Sequence, residues 1–167
     1  MTDPLCAALG LEFARVAEVV ELLKQRGQTV ATAESLTAGL VAAALTTVPG
    51  SSAVVRGGLV VYATDLKASL AGVPAELLAE HGAVHPDVAA ALARGARSVC
   101  GADWGLGLTG VAGPDPQDGV PPGRVYFGIA RSDGVTSHAL DLPGGRHAVR
   151  AAAVRMSIDG LHTALTT

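Results

Sequence analysis

Apolar residues with helical spacing occupy the first part of the chain, between positions 11 and 26. They fall mostly on one face of a helix with 3.6 residues per turn, and Gly27 follows as a natural C-terminal stop. The pattern therefore predicts a first amphipathic helix, whose buried face consists of Leu11, Phe13, Val16, Val19, Val20, Leu22 and Leu23.

The pattern then changes from extended to helical around one serine. Residues 28–34 are rich in β-branched side chains and predict a short buried strand. Residues 36–48 are rich in alanine and predict a helix that Pro49 and Gly50 end. Ser35 therefore lies at a strand-to-helix junction.

Strand and helix patterns continue to alternate in the middle of the chain. Residues 57–63 predict a second strand, and a short helix begins after it at Thr64 or Asp65. Two further helices are predicted between residues 74 and 101, each with a proline in its first turn.

The last third of the chain has a different order of elements. A glycine-rich strand at 104–113 leads into a loop of proline, aspartate and glycine at 114–123. Residues 124–130 and 135–142 then pair as a hairpin, and residues 145–165 form a long closing helix. Strands that first alternate with helices and then form a hairpin predict an α/β fold, a three-layer α/β/α sandwich with a mixed sheet.

Length and composition narrow the classes of protein and partner. A chain of 167 residues suits one domain, so residues 1–167 are treated as a single unit. The net charge of −3 gives no long-range attraction for nucleic acid. No apolar run reaches the roughly 18 residues that a membrane span requires, and the start of the chain lacks a basic export signal. We therefore expect a cytoplasmic protein with a small-molecule ligand and neither a nucleic-acid nor a membrane partner.

Ser35 has two interpretations. Serine is a favoured N-cap residue, worth about 1 kcal/mol to a helix. The same position suits a nucleophile, because strand ends in open α/β sheets face ligand crevices and helix N-termini stabilise negative charge. The residues that follow Ser35 match neither of the usual serine-hydrolase motifs, G-x-S-x-G and S-x-x-K, so a base must come from elsewhere in the chain.

Lys67 is the best candidate for that base. A lysine in the first turn of a helix breaks the usual preference for acidic residues there, although a solvated surface lysine is the alternative. To act as a base it must be neutral, so its pKa must fall by about 3 units, and burial and the positive helix end would both lower it. Tyr62 could orient this lysine or relay a proton, but a tyrosine at a strand end also packs in many proteins.

An anion site is the third candidate. The glycine-rich segment 108–114 could hold an anion with backbone amides, and Arg146 and Arg150 lie one helical turn apart. The alternative for the arginine pair is a solvated helix face. The five histidines are interpreted as scattered, with no two spaced to bind one metal. Asp115 and Asp118 could bind a divalent cation, but aspartate in a loop of proline and glycine usually serves turn formation. We therefore expect no metal and no cofactor.

Several linked motifs resemble one known family. The segments TVATAESLTAGLVAAALTTVPGSS, GGLVVYATDLKASLAGV, HGAVHPDVAAALARGAR, GLTGVAGPD, GRVYFGIA and GGRHAVR have the order and spacing of the CinA C-terminal domain family. The similarity extends from about residue 16 to about residue 164, and the chain resembles the stand-alone nicotinamide mononucleotide deamidases of this family. It implies a three-layer sandwich that hydrolyses the carboxamide of nicotinamide mononucleotide to the acid and ammonia.

The resemblance also implies roles for individual residues. Ser35 in the motif A-E-S-x-T would be the nucleophile, with Lys67 and Tyr62 beside it, and Arg146 in the motif G-x-R would contact the phosphate. The motif positions expected near the substrate are Thr37, Thr109, Gly110 and Gly113.

Some positions depart from the family pattern. Leu36 and Ala38 replace a common cysteine and glycine, and His85 replaces a common serine. The added methyl group of Ala38 could narrow the pocket, and the loop at 114–123 is shorter and richer in proline than usual. Many members carry a nucleotide-processing domain ahead of this one, and we do not expect that activity from this chain.

Three functional hypotheses remain open at this level. The first is the deamidase. The second is an inactive nucleotide-binding domain that acts through a protein partner in competence or DNA-damage functions. The third is an amidase for another substrate, because the sequence indicates the reactive groups better than the groove around them. A homodimer is also conceivable, although no heptad pattern in the sequence indicates how it would form.

Overall fold

The computed structural model describes residues 2–167. In chain order, the helices and strands are α1 (Pro4–Leu9), α2 (Phe13–Arg26), β1 (Val30–Glu34), α3 (Leu40–Thr46), β2 (Val55–Val60), α4 (Thr64–Ser69), α5 (Ala75–His81), α6 (Pro86–Cys100), β3 (Trp104–Gly110), β4 (Arg124–Arg131), β5 (Gly134–Asp141) and α7 (Arg146–Thr166).

The strands form one mixed sheet in the order β2-β1-β3-β4-β5. β1 pairs in parallel with both β2 and β3, whereas β3–β4 and β4–β5 are antiparallel. The predicted hairpin is the β4–β5 pair. The mixed sheet predicted from the sequence is therefore confirmed.

Helices cover both faces of this sheet, each over its own apolar cluster. The larger cluster lies under α1, α2, α3 and α7, and the smaller one lies under α4, α5 and α6. The three-layer arrangement is thus the predicted one. Because aromatic residues make up only 3% of the chain, both clusters consist mainly of valine, leucine and alanine.

The strand β3 shows how the two faces differ. Its large residues, Trp104, Leu106 and Leu108, belong to the cluster under α2 and α7. The alternate residues Gly105 and Gly107 face α6, where a Cβ atom on either would overlap the backbone of that helix. The absence of a side chain at these two positions lets α6 lie directly on the sheet.

Some element boundaries differ from the sequence prediction. α1 was not predicted; its N-terminus is capped by the Asp3 carboxylate, which accepts N–H bonds from Leu5 and Cys6 at 2.9 and 3.0 Å. Leu11 is buried but precedes α2, which begins at Phe13. Within residues 2–167, no helix has both the length and the apolar character needed to cross a bilayer.

Candidate active site

The candidate site lies where the three parallel strands end. β1 is followed by Ser35 and β2 by Val61 and Tyr62, while Thr109 stands near the end of β3. The connection after β1 places α3 on one face of the sheet, and the connection after β2 places α4, α5 and α6 on the other. A crevice forms outside the carboxyl ends of strands at such a switch in direction, here between β1 and β3.

Glu34 organises the chain on the N-terminal side of α3. Its fully buried carboxylate accepts backbone N–H bonds from Gly39, Val41 and Ala42 at 3.0–3.1 Å, and a further bond from the Thr32 hydroxyl. The carboxylate thus occupies the positive end of the helix and satisfies three of its free donors. Glu34 was not among the predicted site residues, although it is the glutamate of the A-E-S motif and directly precedes the serine.

Ser35 is therefore not the N-cap of α3, which was one of its two interpretations. The helix begins at Leu40, and residues 35–39 form a tight turn in which the Ala38 N–H bonds the Ser35 carbonyl at 3.0 Å. Ala38 has a positive φ of 48°, a conformation that a non-glycine residue rarely adopts. Its methyl group is exposed and does not line the cavity, so the expectation that it narrows the pocket is wrong.

Ser35 and Lys67 are in direct contact. The Lys67 Nζ atom lies 3.0 Å from Ser35 Oγ, and it donates to the backbone carbonyl oxygens of Val61 at 2.8 Å and Tyr62 at 3.2 Å. Lys67 is only 1% exposed, which rules out the solvated surface lysine. Burial lowers the pKa of Lys67 from about 10.5 to about 8.

The position of Lys67 in its helix differs from the prediction. It is the fourth residue of the six-residue helix α4 and lies in the last turn, not the first. The lowered pKa therefore has burial as its cause, and the expected contribution of the positive helix end is absent.

Tyr62 and Arg146 meet at the mouth of the cavity. Tyr62 is 56% exposed, and its hydroxyl accepts a bond from Arg146 Nη2 at 3.0 Å. Arg146 is the first residue of α7 and also donates to the Gly113 carbonyl at 2.8 Å. Within residues 2–167, the Tyr62 hydroxyl makes no hydrogen bond to Ser35 or Lys67; its contact with the lysine runs through its backbone carbonyl.

The other predicted ligand residues divide into two groups. Thr109, Gly110 and Gly113 line the same cavity as Ser35. Thr37 does not: it is fully buried beneath the turn, and its hydroxyl has no hydrogen-bond partner within the described part of the chain. Direct contact between the Thr37 side chain and a substrate is thus a prediction that this placement contradicts.

Arg150 has a structural contact instead of a place in the anion site. Its Nε atom donates to the Leu36 carbonyl at 2.8 Å, which ties the turn after Ser35 to α7. Only Arg146 of the predicted arginine pair lines the cavity. Of the two arginines, only Arg146 thus places its cationic group beside the glycine-rich segment.

The cavity itself has a volume of about 270 Å³ and is bounded by Ser35, Leu36, Tyr62, Ala83, Val84, the segment 109–113, the loop residues 115–117 and Arg146. A larger and more apolar groove of about 580 Å³ lies along α6, away from the Ser35–Lys67 contact. We assign the candidate site to the smaller cavity because it is lined by Ser35, whose hydroxyl contacts the buried Lys67 amine.

One cluster of side chains contradicts the expectation of scattered histidines. His81 ends α5 and His85 precedes α6, four positions later, and their rings stack with centroids 4.0 Å apart. Asp87 lies beside His85, with 3.8 Å between Oδ2 and Nδ1. The four-residue spacing was the signal in the sequence that could have identified this pair.

Comparison with known proteins decides the family. The model of the CinA C-terminal domain matches residues 13–165. The chain belongs to the CinA C-terminal domain family.

Curated relatives in this CinA family are longer than the chain. A CinA-like protein of Frankia casuarinae is 51% identical over 141 residues, which cover 84% of this chain and 33% of the relative. A CinA-like protein of Geobacter sulfurreducens is 46% identical over 150 residues, which cover 89% of this chain and 36% of the relative. The chain thus spans about a third of the length of these relatives.

Solved structures of CinA proteins share the whole fold. The competence/damage inducible protein CihA of Agrobacterium tumefaciens superposes with a TM-score of 0.88 at 35% identity, covering 93% of this chain and 95% of that one. A CinA superfamily protein of Klebsiella pneumoniae gives a TM-score of 0.89 at 32% identity, covering 92% and 97%. These likenesses confirm the predicted family and fold, and the names of the two proteins refer to competence and damage without stating a reaction.

Proposed function

We propose that this CinA domain hydrolyses the carboxamide of nicotinamide mononucleotide to nicotinic acid mononucleotide and ammonia. The observation that carries the proposal is the 3.0 Å contact between Lys67 Nζ and the Oγ atom of Ser35, a residue that lines the cavity. A buried serine hydroxyl beside a lysine of lowered pKa is a nucleophile–base pair for acyl transfer. The choice of substrate rests on the resemblance of the motifs to the deamidases and on the cation at the cavity mouth.

The surroundings of Lys67 suit a neutral amine. Such an amine has two N–H donors and one lone pair, and Lys67 faces two carbonyl oxygens and one hydroxyl. The two donors bind Val61 O and Tyr62 O, which leaves the lone pair directed at the Ser35 hydroxyl proton. With a pKa of about 8, roughly one molecule in ten holds the neutral form at pH 7.

The reaction then proceeds in two halves. Lys67 takes the Ser35 proton as Oγ bonds to the carboxamide carbon, and the same proton passes to the leaving nitrogen when the C–N bond breaks and ammonia departs. Water next attacks the ester carbonyl and gives a proton to Lys67, which returns it to Ser35 Oγ as the acid product leaves. Overall, one water is consumed for each amide cleaved.

Backbone amides are available for the oxyanion. Leu36 follows the nucleophile, Ala112 belongs to the glycine-rich segment, and both residues line the cavity. Within residues 2–167, neither backbone N–H donates to a protein acceptor. Backbone amides without a protein acceptor can stabilise the negative charge that develops on the carbonyl oxygen.

Arg146, Tyr62 and Thr109 are assigned to substrate binding and to the shape of the cavity. Arg146 stands at the N-terminus of α7, where no side chain caps the helix, so guanidinium and helix dipole both favour a phosphate at the mouth. Its bond to the Tyr62 hydroxyl fixes the guanidinium and gives Tyr62 an orienting role at the mouth. Thr109, whose hydroxyl donates to the Ala83 carbonyl at 2.6 Å, joins two walls of the cavity.

The test is incubation of the protein with nicotinamide mononucleotide and measurement of ammonia and of the acid product. A panel of small amides run in parallel, including nicotinamide and nicotinamide riboside, separates this substrate from other carboxamides. Ammonia release from the mononucleotide in preference to the panel supports the proposal. Calorimetric binding of the nucleotide with no ammonia release would instead support a nucleotide-binding domain that acts through a partner.

A further inference from the structure

We propose that His81, His85 and Asp87 form a binding site for a divalent transition-metal ion such as Zn²⁺, independent of the deamidase reaction. Each of the three side chains offers one ligand atom, and these atoms all lie within 4.8 Å of one another. The site lies on the connection between α5 and α6, outside the contacts of Ser35 and Lys67.

The backbone that carries the two histidines is fixed. Gly82 has φ 74°, a turn conformation suited to glycine, and the next two residues, Ala83 and Val84, are 2% and 5% exposed. The Ala83 carbonyl is held by the Thr109 hydroxyl at 2.6 Å. The backbone segment that carries the two histidines is thus already held in place. Metal binding therefore costs little backbone conformational entropy.

The protonation pattern and distances also suit a metal. His85 Nδ1 accepts the Asp87 N–H at 3.2 Å, so this nitrogen carries the free electron pair that a metal requires. It lies 3.8 Å from Asp87 Oδ2. Zinc lies about 2.0–2.2 Å from nitrogen and oxygen ligands, so an ion fits between His85 Nδ1 and Asp87 Oδ2. The ion would replace the hydrogen bond that the Asp87 N–H donates to His85 Nδ1, which at 3.2 Å is at the long end of the usual range.

His81 completes the set of ligands. Its ring lies over the His85 ring with 4.0 Å between centroids and 13° between planes. Its side chain and that of Asp87 are exposed, so rotation about their χ angles directs nitrogen and carboxylate to a shared ion without moving the backbone. Three protein ligands leave the remaining coordination positions to water.

Local charge favours a cation. Glu80 Oε1 lies 3.7 Å from His81 Nε2, and the Asp118 carboxylate lies against Gly82. Within residues 2–167, none of the carboxylates of Glu80, Asp87 and Asp118 is paired with a lysine or arginine. Two imidazoles with one carboxylate suit Zn²⁺, Co²⁺ or Ni²⁺, whereas Mg²⁺ and Ca²⁺ prefer oxygen ligands throughout.

The test uses protein stripped with a chelator and titrated with Zn²⁺ by calorimetry, with Co²⁺ absorption as a second readout. We expect one ion per chain, a rise in the thermal unfolding temperature on addition of Zn²⁺, and weakening of affinity by about tenfold or more in both His81→Asn and His85→Ser. The serine at position 85 keeps a capping acceptor for α6, so the fold should persist; circular dichroism of the metal-free variants checks this.

Two control variants make the result decisive. His147→Asn removes an exposed histidine elsewhere, and Cys100→Ser removes the half-buried thiol that could take zinc; both should bind like the wild type. The proposal is overturned by a dissociation constant above about 1 mM for the wild type. It is equally overturned by binding that survives in His81→Asn and His85→Ser or that disappears in Cys100→Ser. Ammonia assays play no part in these readouts, so failure here leaves the deamidase proposal untouched.

Discussion

Lys67 Nζ lies 3.0 Å from Ser35 Oγ, although 32 residues separate them in the chain. The contact forms because β1 and β2 are parallel neighbours, so the residues after both strands emerge at the same edge of the sheet. α4 then turns Lys67 back over that edge. The sequence places a nucleophile and a base in different elements, and the parallel pairing brings them together.

The first prediction concerns the pH dependence of turnover. Lys67 must be neutral to accept the Ser35 proton, and its pKa is about 8. We therefore expect kcat/KM for ammonia release to rise with pH along an acid limb centred near 8 and to level off above it. A profile that is flat from pH 6 to 9, with chemistry shown to limit the rate, would remove Lys67 as the base.

A second prediction follows for Lys67→Met, whose side chain has similar length but no proton acceptor. Loss of a general base typically slows a reaction by about 10²–10⁴-fold, and we expect kcat to fall within that range. Lys24→Met, at the only other lysine of the chain, is the matched control and should retain full activity. Equal activity of the two variants would contradict the mechanism.

The lowered pKa of Lys67 also predicts that the stability of the fold depends on pH. Because its folded pKa, about 8, lies below the unfolded value of 10.5, the unfolded chain binds more protons between these two values. The free energy of unfolding should therefore rise with pH across this window, by about 3 kcal/mol in all from this group. Urea unfolding at several pH values measures this, with Lys67→Met as the reference for other titrating groups. A rise of the same size in Lys67→Met would show that Lys67 is not its source.

Glu34→Gln tests the anchor of the turn that carries Ser35. A neutral amide cannot replace a carboxylate that accepts three backbone N–H bonds, because its NH₂ group opposes one or more of these donors. We expect a loss of stability of about 2 kcal/mol. We also expect a fall in kcat larger than any change in KM, because Ser35 shifts relative to Lys67. Glu34→Asp, which keeps the charge, should restore part of kcat; a fall in stability with unchanged kcat would mean that the anchor does not position the nucleophile.

Arg146→Met tests the phosphate contact. Removing the guanidinium from the cavity mouth should raise KM for nicotinamide mononucleotide by about tenfold, corresponding to about 1.4 kcal/mol, with little change in kcat. Nicotinamide riboside lacks the phosphate, so its KM should stay the same in both proteins. If KM rises equally for the two substrates, Arg146 acts on the shape of the cavity and not on the phosphate.

Most of the fold could be predicted from the sequence because its signals are local. Apolar residues spaced at 3.6 per turn predict the long helices, and β-branched segments predict the strands and the hairpin. Glycine and proline mark the ends of these elements. The start of α3 could not be predicted this way, because Glu34 captures its N-terminal amides from within the preceding strand. Side-chain capping by a residue five to eight positions upstream has no simple pattern in a single sequence.

The site was predictable in its chemical groups and less so in their contacts. Ser35, Lys67 and Arg146 were chosen by position, and all three lie at one strand edge or its rim. Thr37 was predicted from a motif and Tyr62 from its place at a strand end, and neither feature reveals side-chain direction. One is turned into the interior, and the other reaches Lys67 only through its carbonyl.

The most direct test of the central claim is paired measurement of ammonia release and nucleotide binding by the wild type and Ser35→Ala. Ser35 is only 8% exposed and the substitution removes a single oxygen atom, so the cavity should stay intact. We predict ammonia from the wild type alone, with calorimetric binding of nicotinamide mononucleotide preserved in both proteins. Equal ammonia release by Ser35→Ala would contradict the serine mechanism, and absence of release by the wild type would contradict the deamidase itself.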